Sequence, residues 1–418
     1  MGLRQPGAPT RAYWYEFSMT VRRRVLLCCE QYPPSVGGVQ EVMRQIAERL
    51  AQRNLEVVVA TGIHPHRPND VMMDGVHVVS FAITGNRVKG ITGPMAAYQQ
   101  FLRQGRFDAV LIKAAQQWTF DAAIDVLDQI SAQKVFIPCG FSGLGDIRYA
   151  DYFEQMPIWL RKFDGLVFYS DTYQDIEFAR KHGLAALHLI PNGVDEREFA
   201  EPGDSAIRTE LGIPAGDDLL LSVGSMIMAK GHWEVIRAFR QANLDRPATL
   251  VVNGNHPKAG YLTALKRTLK HLLRGYWPIT LEALTTSAHP GKRVILKNMP
   301  RAKLLELFKA SDLFIFASHV EYSPLVLFEA AASSTPFVAS DVGNNREIVK
   351  WTGAGRIVEG FSARSKAPSV LAFKEAIESA LSRPEELTKM GQSGRREIMQ
   401  GGYTWDKIVE RYLAVLKL

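Results

Sequence analysis

The stretch Leu313-Phe314-Ile315-Phe316, followed after four residues by Glu321-Tyr322-Ser323-Pro324-Leu325-Val326-Leu327-Phe328-Glu329, decides how the chain folds. Four apolar residues, three of them aromatic or β-branched, read as a buried strand. Ser323 is a good N-cap and Pro324 a good first helical residue, so a helix is expected to start there. A strand that runs through a short loop into a helix is one half of a parallel βαβ unit. The free N–H groups of Leu325 and Val326 would point out of the helix end towards an anion. Glu321 lies in the loop and Glu329 about two turns along the helix. A carboxylate at such a mouth suits sugar or ribose hydroxyls. Taken singly, Glu321 reads rather as an exposed acid and Glu329 as a partly buried, capped one than as functional groups.

Outward from this unit the pattern repeats. Leu219–Val223, Leu250–Val252, Val294–Leu296 and Phe337–Ser340 are strands of the same series, alternating with helices. An earlier series comprises Val25–Cys29, Val57–Ala60, Val76–Ile83, Ala109–Ile112, Val135–Pro138, Leu166–Tyr169 and Leu187–Ile190. Between them lie helices such as Val39–Asn54, whose Val39, Val42, Met43, Ile46 and Leu50 keep the 3.6-residue period. Continuous apolar strands separated by helices predict parallel sheets covered on both faces. The series restarts after the turn Pro191-Asn192-Gly193, with the boundary in the charged stretch Val194–Ala206. The expectation is an α/β chain of two Rossmann-like, doubly wound domains, 21–196 and 197–402, facing a cleft. Residues 1–20 read as a flexible extension, with Met19 an alternative start, and 403–418 as a final helix.

Composition bounds the function classes. The 418 residues are 46% hydrophobic, 22% charged and 10% aromatic, which excludes a disordered chain, a collagen-like fibre and a small disulfide scaffold. No apolar run approaches the roughly 18 residues of a membrane span. Cys28, Cys29 and Cys139 read as reduced thiols of a cytosolic protein. The net charge of +7 lies wholly in residues 197–418, and the block 251–300 holds 8 basic residues against 1 acid. Basic residues are not interleaved with aromatics over a broad face, so no nucleic-acid partner is expected. Within that block Leu262, Leu265, Leu269, Leu272 and Leu273 share a helical face, while Lys266, Arg267, Lys270 and Arg274 occupy the rest. This reads either as a solvated helix side or as a surface for an anionic lipid head group or charged oligosaccharide. Arg22–Arg24 likewise read as a solvated strand entrance or a membrane contact.

Two further loops follow strand ends. Ser35-Val36-Gly37-Gly38 opens a helix and lets backbone approach a ligand, though a Gly pair is also an ordinary turn. Gly224-Ser225…Lys230-Gly231-His232 sets a lysine just before a helix start, which suits a diphosphate or is simply a surface lysine. Neither is the G-x-G-x-x-G dinucleotide fingerprint. Gly140, Gly143 and Gly145 have its spacing reversed.

The succession Gly37-Gly38, Ile190-Pro-Asn-Gly-Val-Asp195, Ser222-Val-Gly224…Lys230-Gly231, Glu321-x7-Glu329 and Asp341-Val-Gly343…Glu347 resembles the retaining glycosyltransferases of family 4. The resemblance runs from about Val21 to Leu418. It implies the GT-B fold, with a last helix, here Tyr403-Thr-Trp405 onwards, crossing back to the first domain. It implies catalytic roles for Glu321, at the donor sugar, and Lys230, at the diphosphate. Donor-binding roles fall to Gly37, Gly38, Gly224, Ser225, Ser323, Pro324, Leu325, Val326 and Glu329, the last at the ribose. Two departures stand out: Ser225 replaces the family's usual arginine, and the strand ends at Lys113–Trp118 and Pro138–Gly143 carry none of the family's first-domain histidine. Gln116, Ser142 and Asp146 are candidates for the acceptor side. With no Asp-x-Asp pair and no His/Cys cluster at ligand spacing, no metal and no cofactor are expected. The implied activity is transfer of a sugar from a nucleotide-sugar to a saccharide or lipid-linked acceptor, in glycan or polysaccharide biosynthesis. The implied location is the cytoplasm, with peripheral contact at the inner membrane face. Two other readings stay open: a donor-binding subunit without turnover, and a nucleotide-sugar epimerase on the same fold.

Overall fold

The computed structural model describes residues 22–201, 203, 206–255, 277–360 and 367–418. The extension 1–20 and the whole basic segment 262–274 lie outside the described residues.

Two parallel sheets form two α/β domains. The first has the strand order Leu187–Leu189, Gly165–Phe168, Gln133–Ile137, Ala109–Lys113, Arg24–Cys28, Glu56–Gly62, Val76–Phe81, Asp70–Met73. The second runs Lys292–Lys297, Ala248–Asn253, Asp218–Val223, Leu313–Phe316, Phe337–Ser340, Gly355–Val358. Central strands are buried along their whole length, as with Ala109–Lys113 and Leu313–Phe316, because helices cover both faces. Each sheet divides into two apolar cores, one per face.

Within these two sheets the parallel pattern has one exception among the described residues, and a separate two-stranded antiparallel sheet pairs Thr84–Asn86 with Gly90–Thr92. Asp70–Met73 pairs antiparallel with Val76–Phe81 at the sheet edge. The turn between them places Asp74 and Gly75 at φ 48° and 79°, the left-handed pair that an Asp-Gly two-residue hairpin demands.

The order of strands reverses at one place in each sheet. In the first it lies between Arg24–Cys28 and Ala109–Lys113, in the second between Asp218–Val223 and Leu313–Phe316. Loops leaving such neighbours diverge to opposite faces and open a crevice at the strand carboxyl ends. Both crevices face one cleft.

The last helix, Trp405–Leu416, returns to the first domain. Its Trp405, Ile408, Val409, Tyr412 and Leu416 are buried in the same core as Val25, Leu27 and Leu111. The domain connection is tied to it, since Val194 N–H donates to Tyr403 O at 3.0 Å and Trp405 N–H to Val194 O at 2.8 Å.

Candidate active site

The cleft between the sheets has a volume of about 840 Å³ and is lined from both domains. On the second-domain side the strand Asp218–Val223 ends in Gly224-Ser225 and a 3₁₀ turn at Met228–Lys230. Gly231 follows at φ 72°, where an added Cβ would lie 1.8 Å from Ala317 O, so only glycine fits. The helix His232–Gln241 then begins, and His232 is fully buried beneath the loop. Its Nδ1 lies 3.1 Å from Ser222 Oγ and its Nε2 3.2 Å from Gly224 O, which clamps the strand end to the helix start. Burial pushes the imidazole down to about 4, so it is neutral at pH 7.

The loop after Leu313–Phe316 is zipped to that turn. His319 N–H donates to Ala229 O at 2.9 Å, and Ser318 Oγ lies 3.1 Å from the same oxygen. Glu321 is thereby brought to Lys230: Nζ and Oε1 are 2.5 Å apart, and Ser318 Oγ donates to the same carboxylate oxygen at 2.8 Å. Two residues 91 positions apart in sequence form one ion pair at the second sheet's switch point.

The helix beyond spans Leu325–Ala332 and starts one residue later than its sequence suggests, with Pro324 at the N-cap position and no side-chain cap. Ser323 is spent otherwise. Its carbonyl accepts from Asn192 Nδ2 at 2.9 Å and its hydroxyl from Asn344 Nδ2 at 3.2 Å. An uncapped start leaves the amides of Leu325 and Val326, which line the cleft, free for a ligand. Glu329 is buried, which raises its carboxyl, while Arg301 opposes that shift. Arg301 Nη1 lies 2.6 Å from Glu329 and Nη2 2.6 Å from Glu198. Arg301 opens a helix at the carboxyl end of Lys292–Lys297, a position whose only sequence signal is a polar residue after a strand.

On the first-domain side Gly37 and Gly38 line the cleft, and an added Cβ at Gly38 would come 3.9 Å from Leu325 Cδ1. The glycine loop therefore faces the helix mouth directly. Lys113, Cys139 and Tyr169 line the same wall. Gln116, Ser142 and Asp146 do not line it. Gln116 Oε1 accepts from Gly143 N–H at 3.0 Å and from Ser142 Oγ at 3.3 Å, and Asp146 caps a short 3₁₀ turn and pairs with Arg148. Gly224 and Ser225 line the cleft, as do Ser323 and Pro324.

The domains also touch through Tyr322. Its ring stacks on Tyr169 at 5.4 Å and its hydroxyl oxygen accepts from Tyr169 N–H at 3.0 Å. Gly140, at φ 88°, makes room for it, since a Cβ there would press on the Tyr322 and Tyr173 rings at 3.1 and 3.2 Å. Tyr173 Oη donates to Glu321 O at 3.1 Å. Asp175 lies beneath, accepting from Gly140 N–H at 2.9 Å, and burial raises its carboxyl to about 6.

Two facing parallel-sheet domains with strand-end loops converging on one cleft define the GT-B class of glycosyltransferases. Residues 36–198 match the sequence model described as Glycosyltransferase Family 4. Residues 204–397 match that described as Glycosyl transferases group 1. The chain belongs to the glycosyltransferase family that joins these two domains. A D-inositol 3-phosphate glycosyltransferase of Kineococcus radiotolerans is 31% identical over 240 residues, 56% of this chain and 52% of the relative. Spore coat protein SA of Bacillus subtilis is 25% identical over 406 residues, 93% of this chain and 98% of the relative. The chain spans about half the length of the inositol-phosphate glycosyltransferases it matches. Among solved structures, sucrose-phosphate synthase from Thermosynechococcus elongatus superposes with a TM-score of 0.73 at 18% identity, covering 95% of this chain and 98% of that one. Anabaena Alr3699/HepE in complex with UDP and glucose gives 0.68 at 16% identity, covering 95% and 100%. At these identities the likeness is one of fold.

Proposed function

We propose that the chain is a retaining glycosyltransferase. It transfers a sugar from a nucleotide-sugar bound to the second domain onto a saccharide or lipid-linked acceptor bound against the first, in glycan or polysaccharide biosynthesis. The observation that carries the reading is the Lys230–Glu321 ion pair beside the uncapped helix mouth at Leu325, opposite Gly37-Gly38. Lys230 and the amides of Leu325 and Val326 supply the positive field that a leaving diphosphate requires. Glu321, held by Lys230 and Ser318, accepts hydrogen bonds from sugar hydroxyls, and Glu329, held by Arg301, does so from the ribose. No metal or cofactor is assigned a step. Catalysis rests on positioning and on charge stabilisation of the departing nucleotide. The buried, uncharged His232 keeps the Gly224 turn in place beneath Lys230. A cytoplasmic location belongs to the same reading, and no helix among the described residues is long and apolar enough to cross a membrane.

The test is nucleotide release from a panel of UDP-, GDP- and ADP-sugars. Release is expected with at least one donor, and Glu321→Ala is expected to lower turnover by about 10²-fold or more. Binding of a nucleotide with no turnover on any donor and acceptor would favour a donor-binding subunit instead.

A further inference from the structure

Four cationic side chains line the cleft among the described residues: Arg44, Lys113, Lys230 and Arg301. Three of them face carboxylates. Arg44 pairs with Glu41 at 2.7 Å and Glu48 at 2.9 Å, Lys230 with Glu321 at 2.5 Å, and Arg301 with Glu198 and Glu329 at 2.6 Å each. Lys113 has no carboxylate within ion-pair distance among the described residues. Its Nζ donates to Tyr169 Oη at 2.5 Å and sits 4.7 Å from that ring's centroid. The side chain is only 1% exposed, yet it borders the cleft floor. An ammonium has three donors, and a phenol oxygen uses one. With no counter-charge beside it, burial holds the Lys113 ammonium below the usual lysine range, and an anion next to Nζ would offset that cost and favour the charged form.

Its place in the fold says which side that anion comes from. Lys113 ends the strand Ala109–Lys113, which borders the first sheet's switch point beside the strand that leads to Gly37-Gly38. The second domain already has Lys230 and the helix mouth for the donor diphosphate. The backbone around Lys113 is strained as well. Ala114 and Gln116 have φ of 71° and 62°, and in the neighbouring loop Cys139 and Phe141 have 62° and 49°. Of these four non-glycine residues in the left-handed region, Cys139 lines the cleft beside Lys113.

We propose that Lys113 is the counter-charge for an anionic group, a phosphate or a carboxylate, carried by the acceptor. The proposal rests on the glycosyl-transfer reading above and adds the acceptor's charge to it. A neutral acceptor would leave Lys113 unpaired in the closed cleft, and an anionic one neutralises it, so the residue selects between them.

The full chain is saturated with whichever of UDP, GDP and ADP binds most tightly, which fills the diphosphate site. It is then titrated calorimetrically with inorganic phosphate and, separately, with acetate. At least one anion is expected to bind the nucleotide-filled protein. Lys113→Met is expected to weaken that binding at least tenfold while changing nucleotide affinity less than twofold, which also shows the variant to be folded. Tighter phosphate binding assigns a phosphorylated acceptor, and tighter acetate binding a carboxylated one. The proposal is overturned if neither anion binds the nucleotide-filled wild type, a result independent of how the variant folds. It is equally overturned if Lys113→Met leaves anion affinity unchanged, or if nucleotide affinity falls with it, which would put Lys113 on the donor. Should none of the three nucleotides bind the wild type, the transfer reading itself fails. Nucleotide binding without anion binding sinks the acceptor proposal alone.

Discussion

His232 shows how one buried group can fix a loop and leave a signature in pH. Burial holds its folded pKa at about 4 against an ordinary 6.5, so between these values the unfolded chain binds more protons than the folded one. Its neutral form therefore supports the fold above pH 6.5, and that support drains away as pH falls towards 4, roughly 3 kcal/mol across the window. His232→Ala would leave Ser222 Oγ and Gly224 O without this partner and open a cavity, costing about 2–4 kcal/mol at pH 8. Urea unfolding midpoints should fall at pH 8 and depend less on pH between 6.5 and 4 than in wild type. An unchanged slope would show that the histidine is not held neutral. In the sequence His232 is merely the residue after Lys230-Gly231. Its role follows from burial, and no spacing encodes burial of a single polar side chain. Arg301 escaped for a related reason, being 28 residues from Glu329 in sequence and adjacent only in space.

At the scale of elements, the strands were legible because central parallel strands are uniformly apolar. The helix Trp405–Leu416 was legible through the family resemblance, which implies a last helix crossing back to the first domain. The edge strand Asp70–Met73, with only intermediate and exposed residues, carried no comparable apolar run, although Asp74-Gly75 was a usable turn signal. The start of Leu325–Ala332 shifted because Asn192 and Asn344 claim Ser323, a competition between capping and domain contact that local propensity does not contain. The crossing helix closes the first domain's core with side chains from the far end of the chain. Trp405 is 2% exposed there, so Trp405→Ala is expected to cost about 3–5 kcal/mol. In thermal unfolding the first domain should lose stability more than the second. A loss confined to the second domain, with nucleotide binding weakened, would mean the helix belongs there instead.

Across the whole molecule, the domains meet through Tyr322, which docks between Tyr169 and Tyr173 over the carboxyl of Asp175. Asp175 titrates at about 6 when folded against an ordinary 3.8, so in that interval the folded chain binds more protons. Its charged form opposes folding above pH 6 by about 3 kcal/mol, and the penalty disappears as pH falls towards 4. Asp175→Asn should therefore be at least as stable as wild type at pH 7.5, with the difference shrinking to nothing near pH 4. Stability lost at pH 7.5 and regained at pH 4 would show instead that the hydrogen bonds to the carboxylate outweigh its desolvation.

The sequence by itself determined the two βα series, which depend on period and apolar continuity, both local along the chain. The crossing helix and the donor-site residues were legible through the resemblance to family 4. Only the tertiary structure decided that Lys230 and Glu321 are one ion pair, that Gln116, Ser142 and Asp146 are not among the residues lining the cleft, and that Lys113 borders it with no carboxylate within ion-pair distance among the described residues. Electrostatic partnership depends on distances of a few ångströms across loops that are far apart in sequence, and the strand order that sets those distances emerges only when the sheets assemble.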